Sequence, residues 1–103
     1  MTLGAEMSIV TVLEIPAREG KAEELKSLLK QHLGDTRARQ GCESVTVHQD
    51  QANPNAIVLI ERWASLADDE AYRAWRAGPG AIEGIGPLVA GPPSIRYFDD
   101  VDA

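Results

Sequence analysis

Few side chains in this sequence can do chemistry, and they are easily surveyed. There are two histidines, His32 and His48, and one cysteine, Cys42. No pair among them has the spacing of a zinc or iron site, so no metal is expected. No glycine-rich nucleotide loop is present, so no flavin or other cofactor is expected either. Cys42 follows a helix C-terminus, where the dipole does not favour a thiolate, and reads as structural. No serine–histidine–acid set stands out. His48 lies on an expected strand, on the face opposite Val45 and Val47. It is either a partly exposed strand histidine or a general base near the mouth of a pocket, since imidazole titrates near neutral pH. Glu61 shares an apolar stripe with Leu59 and Trp63. A carboxylate there needs a partner; Arg96, or Arg62 of the partner subunit, is expected, in a structural role. Trp63, Tyr72 and Trp75 are three of the chain's five aromatic residues and lie close together in sequence. Tyr72 and Trp75 are one helical turn apart. The cluster is either ordinary core or a flat-walled pocket for an aromatic ligand, with the tyrosine hydroxyl as its polar handle. On the functional reading His48 and Tyr72 are the candidate catalytic residues. Trp63, Trp75, Leu59 and Arg76 are then the candidate substrate-binding residues.

These residues must be positioned by a small set of elements. Ser8 to Ile15 is rich in β-branched residues and predicts a strand. From Lys21 to about Arg39 the period becomes helical, with Ala22, Leu25, Leu29, Leu33 and Thr36 on one face. Gly41 fits the left-handed residue that commonly ends a helix. Cys42–Gln49 and Ala56–Trp63 predict two strands of a hairpin, joined by the turn chemistry of Asn53-Pro54-Asn55. Ser65 caps a second helix that runs to about Arg76, with Asp68 suited to its first turn. Gly78-Pro79-Gly80 stops it. Residues 81–90 predict a short or irregular helical segment, and Ser94 to Phe98 a last strand. Residues 1–7 read as a flexible N-terminus and 99–103 as an acidic tail. The order β-α-β-β-α-β is the α+β ferredoxin-like motif: an antiparallel sheet with both helices on one face and the first and third strands central.

Both central strands are apolar on both faces. Ile9, Leu13 and Ile15 alternate with Val10 and Val12; Ile57, Leu59 and Trp63 alternate with Val58 and Ile60. A sheet with one face in water alternates apolar with polar instead. Two helices cover only one face, so a second copy packed sheet to sheet is expected to cover the other.

The chain has 103 residues, which fits a single domain. Its formal net charge is −6, from 10 basic and 16 acidic residues, which disfavours nucleic acid and anionic membranes as partners. No stretch approaches the roughly 18 apolar residues of a membrane span. A lone cysteine suits a reducing compartment, and a cytoplasmic location is expected.

Several segments resemble antibiotic biosynthesis monooxygenase (ABM) domains. Glu19-Gly20-Lys21-Ala22-Glu23-Glu24-Leu25 is similar to the "pGkaeel" start of their first helix. Thr36-Arg37-Ala38-Arg39-Gln40-Gly41-Cys42 is similar to that helix's "tr-x-e-x-Gc" end. Asn53-Pro54 sits at their hairpin turn, and Glu61-Arg62-Trp63-Ala64-Ser65 matches their "E-x-W-x-s" junction. The resemblance spans about Ser8 to Phe98. It implies a dimeric α/β barrel with a pocket between sheet and helices in each subunit. Characterised members include cofactor-free oxygenases of phenols and anthrones, quinol oxidases, haem-degrading enzymes and proteins with no oxygenase activity. Many carry a histidine in the second helix where this chain has Tyr72, so haem degradation is not expected. The resemblance thus implies a cofactor-independent monooxygenase that oxidises an electron-rich aromatic, a quinol, anthrone or polyphenol, with molecular oxygen. The alternative is a non-catalytic or stress-related dimer that binds a small hydrophobic metabolite.

Overall fold

The computed structural model describes residues 8–101; the expected flexible N-terminus and the last two residues of the acidic tail lie outside them. The elements are β1 (Ile9–Pro16), α1 (Ala22–Arg37), β2 (Cys42–Gln49), β3 (Ala56–Trp63), α2 (Leu66–Arg76), a single 3₁₀ turn (Gly86–Leu88) and β4 (Ser94–Asp99). The strands form one antiparallel sheet in the order β2-β3-β1-β4. This is the ferredoxin-like arrangement, with β1 and β3 in the centre as their apolar composition requires.

Register decides which side chains share a face. Leu13 pairs with Leu59, Thr11 with Glu61, and Ile9 with Trp63, while Val12 pairs with Ile60. Because side chains alternate along a strand, Thr11, Leu13, Ile15, Ile57, Leu59, Glu61 and Trp63 all lie beneath the helices, and all are buried. Leu25 and Leu29 of α1 close the core over Leu13, Ile15, Val45, Ile57 and Leu59. On the outer face Val10, Val12 and Val58 are half-buried, and Ile60 and Phe98 are exposed.

Two junctions fix α2 over the sheet. Gly41 has φ of +84°, and a Cβ there would lie 2.2 Å from the Asp68 carboxylate, so only glycine fits between the end of α1 and the start of α2. Its carbonyl accepts a 2.7 Å hydrogen bond from the Ala64 amide. Ser65 then caps α2, its hydroxyl oxygen accepting from the Asp68 amide at 3.2 Å. The connection from β3 to α2 is therefore short and rigid, and α2 folds directly back over β3.

Residues 81–90 are less helical than their apolar spacing predicts. Gly84, at φ +85°, and Pro87 confine regular structure to Gly86–Leu88. Backbone bonds from Arg18 to Leu88 and from Ala90 to Pro16, both 2.8 Å, tie the segment to the end of β1. The acidic tail also begins later than expected. Asp99 belongs to β4 opposite Ile9, and Asp100 forms a 2.6 Å ion pair with Arg62. Among the described residues no helix is long and apolar enough to cross a membrane.

Candidate active site

A half-open cavity of about 460 Å³ lies between the sheet and α2. Leu13, Leu59 and Ile95, from three adjacent strands, form its floor. Leu29 of α1 and Tyr72, Arg73, Arg76 and Ala77 of α2 form its walls. Ile82, Ile85 and Pro93 from the irregular segment complete the rim, and Glu61 is the one acidic residue in the lining. A second hollow of similar volume, about 450 Å³, opens between α1 and the Gly84–Leu88 segment. Its charged residues, Glu23 and Glu24, are solvent-exposed and it holds no buried polar group. The cavity under α2 is the one in which chemistry can be shielded from water.

The polar end of that cavity is a buried ionic cluster. Glu61 and Asp69 are both fully buried, and both receive a hydrogen bond from Nη2 of Arg73. The Asp69 bond measures 3.2 Å. Trp63 Nε1 also donates to Glu61 Oε1, at 3.0 Å. Thr11 donates to Asp69 Oδ2 at 2.7 Å, and the Tyr97 hydroxyl lies 3.4 Å from Asp69 Oδ1. Burial alone would lower the Arg73 pKa, but the two carboxylates outweigh it and hold the guanidinium above its ordinary value. Burial, with Asp69 next, raises the Tyr97 phenol. Among the described residues neither Glu61 Oε2 nor Arg73 Nε has a hydrogen-bond partner. Buried polar atoms are nearly always paired, so two orphans on one ion pair are a distinctive feature.

A second network closes the cavity from above. Arg76 Nε donates to the Tyr72 hydroxyl at 2.8 Å, and that hydroxyl shares a 2.8 Å hydrogen bond with Thr36 of α1. The remaining Arg76 donors reach the Gly80 carbonyl at 3.0 Å, the His32 carbonyl at 3.2 Å and Thr36 Oγ1 at 3.1 Å. The cluster locks α1, α2 and the turn after α2 together. It also engages the Tyr72 hydroxyl and four of the five N–H donors of Arg76.

Residues 8–84 match the family model described as Antibiotic biosynthesis monooxygenase. The chain belongs to this family. Solved structures share its fold. A Pseudomonas aeruginosa protein, PA3566, is 22% identical, with coverage of 97% of this chain and 100% of that one, and a TM-score of 0.80. A Shewanella oneidensis protein, SO0527, is 24% identical, with 95% of each chain covered and a TM-score of 0.80. A candidate antibiotic biosynthesis monooxygenase from Deinococcus radiodurans is 23% identical, with 92% and 94% covered and a TM-score of 0.76. At these identities the likeness concerns the fold. No curated protein matches the chain.

In this antibiotic biosynthesis monooxygenase domain three of the six expected site residues meet at the cavity: Leu59, Tyr72 and Arg76. Trp63 sits behind the wall, fully buried, with its ring centroid 4.9 Å from that of Tyr72. Trp75 is likewise not in the lining. Arg39 stacks 4.2 Å from its centroid, and Gly80 packs so closely that a Cβ would fall 2.3 Å from the ring. His48 is exposed on the outer face, bonded to Thr46 Oγ1 at 2.8 Å. It pairs with Val58, not with the cavity-facing positions of β3, so the sheet separates it from the cavity. The expected place near the pocket mouth is thus corrected by strand alternation.

The partner expected for Glu61 is also corrected. Arg96 is paired opposite Val12 on the outer face and lies over Phe98, and Arg62 is on that same face with Asp100. Arg73 fills the role because α2 folds back over the end of β3. Sequence reasoning missed Asp69 and Arg73 although their i, i+4 spacing places them on one helical face. It also missed Thr11, the polar exception on the helix-facing side of β1. Cys42 is partly buried; burial first, then Glu61, pushes its thiol pKa up, as suits a structural residue. Among the described residues no group of three or more His, Cys, Asp or Glu side chains is placed to hold a metal ion.

Proposed function

We propose that the chain is a cofactor-independent monooxygenase acting on an electron-rich aromatic: a quinol, an anthrone or a polyphenol. The observation that carries this reading is an apolar, half-open cavity ending in a buried ionic cluster. Its volume falls in the range that encloses a small multi-ring ligand. Leu13, Leu59 and Ile95 would face the flat rings, the Tyr72 ring would form a wall, and the Arg76 stem would cover the edge. The reaction asks little of the protein beyond a dry site, a proton acceptor and a partner for the oxyanion. For an anthrone, loss of a proton gives a delocalised anion that transfers an electron to dioxygen. Recombination forms a carbon–oxygen bond, and loss of water leaves a carbonyl. One methylene and one dioxygen thus become one carbonyl and one water. We further propose a homodimer through the outer sheet face and a cytoplasmic location, which suits the free Cys42.

Oxygen uptake across a panel of quinols and anthrones, with chelator-treated protein, tests the reading. The expected result is enzyme-dependent uptake with one quinone formed per dioxygen consumed. A binder without turnover is the second reading, favoured because neither histidine lines the cavity. Saturable binding without oxygen uptake for every compound would support that reading and remove the first.

A further inference from the structure

We infer that Glu61 and Arg73 act together on a single ligand hydroxyl, Glu61 Oε2 accepting its proton and Arg73 Nε–H holding the resulting oxyanion. This rests on the reading of the cavity as an aromatic site and names the chemistry of its polar end. An unconstrained arginine–carboxylate pair closes as a fork, with two parallel hydrogen bonds to the two oxygens. Here that closure is not made. Nη2 of Arg73 is shared between Glu61 Oε1 and Asp69 Oδ2, and Trp63 loads the same Glu61 oxygen. The outcome is one orphan donor and one orphan acceptor, on adjacent members of one buried pair whose residues both line the cavity.

A hydroxyl seated between them would satisfy both, accepting from Nε and donating to Oε2; both atoms are shut off from solvent, so the two side chains must turn slightly to admit it. In the proton transfer the ligand O–H bond breaks, an O–H bond forms at Oε2, and the electron pair stays on the ligand oxygen. The cluster's net charge does not change, because the negative charge moves from Glu61 to the ligand beside the same guanidinium. Asp69, anchored by Thr11 and near Tyr97, holds Nη2 of Arg73 and acts as a positioning residue. Arg76 is a poor substitute for Arg73, since four of its five N–H donors are engaged by Tyr72, Thr36 and two carbonyls. An aliphatic alcohol is too weak an acid for a carboxylate to ionise. The hydroxyl is therefore phenolic, or the enol of an anthrone.

Alizarin, a hydroxyanthraquinone whose absorbance moves to the red on ionisation, is the probe. Wild-type protein should bind it saturably and show the ionised spectrum at a pH where the free dye is neutral. Glu61→Gln should still bind it but show the neutral spectrum, and should lower turnover of a reactive anthrone by about 10²-fold or more. Asp69→Ala, which removes the second acceptor of Nη2 and lets the pair close as a fork, should also lose the red shift while Glu61 and Arg73 are retained. Melting curves identify any variant that fails to fold, and the other variant then decides. Equal red shifts in wild type and the folded variants would overturn the inference and leave the cavity reading intact. Absence of saturable binding to wild type would overturn both.

Discussion

Glu61 sits one residue before the middle of the "E-x-W" run, with a fully buried side chain that meets Trp63 and Arg73 through a single oxygen. Its apolar neighbours made the need for a cationic partner legible in the sequence. Which cation answered was not legible, because that depends on how sharply α2 turns back over β3. Leu59, Tyr72 and Arg76 were recognisable because strand and helix periodicity bring them to one side. Asp69 and Arg73 were hidden by their ordinary appearance as a first-turn acid and a last-turn base of α2, positions that complement the helix dipole anyway. Tyr72 shows how the same side chain divides into ring and hydroxyl. Its ring lines the cavity, while its hydroxyl holds Arg76 and Thr36. Tyr72→Phe should therefore lower stability in urea by about 1–3 kcal/mol, because it strips partners from buried polar groups. It should leave alizarin ionisation unchanged. Undiminished stability with a large loss of turnover would instead return the hydroxyl to the role of oxyanion donor.

At the scale of elements, local chemistry was a good guide wherever it was strong. The bounds of β2, β3 and α2 follow from Gly41, the Asn53-Pro54-Asn55 turn, Ser65 and Gly78-Pro79-Gly80. Residues 81–90 were harder, because Ile82, Ile85 and Leu88 keep a helical spacing that Gly84, Gly86 and Pro87 prevent from becoming a helix. Those apolar residues still turn inward: Ile82 and Ile85 reach the cavity rim, and Leu88 packs against the core. Two glycines give a paired test of how the elements are joined. Gly41→Ala forces a left-handed backbone and a Cβ 2.5 Å from Asp68 Cβ. It should cost about 2 kcal/mol or more in chemical denaturation. Gly34→Ala, inside α1 with nothing within 4 Å of the added atom, should stabilise by up to about 1 kcal/mol. Equal effects at the two sites would mean that the α1–α2 junction is looser than the Gly41 contact requires.

The molecule as a whole presents a sheet with two unlike faces. The helix-side face holds the cavity and both polar networks. The outer face carries Val10, Val12, Val58, Ile60 and Phe98, together with His48 and Arg62. Apolar side chains of this size gain about 1.5–3 kcal/mol each on full burial, so pairing of two such faces is favourable. Ile60→Asp should give monomeric or insoluble protein by light scattering, while wild type should scatter as a dimer at micromolar concentration. A wild-type monomer would remove the outer face as an interface. On this proposal the two faces divide the labour, with ligand chemistry beneath the helices and association on the opposite side. Methyl-labelled protein titrated with alizarin and followed by NMR tests that division most directly. Saturable shifts of the Leu13, Leu59, Ile82 and Ile95 methyls are expected, with the Val12, Val58 and Ile60 methyls unmoved. Shifts confined to Val12, Val58 and Ile60 would contradict it and move the ligand site to the face that carries His48.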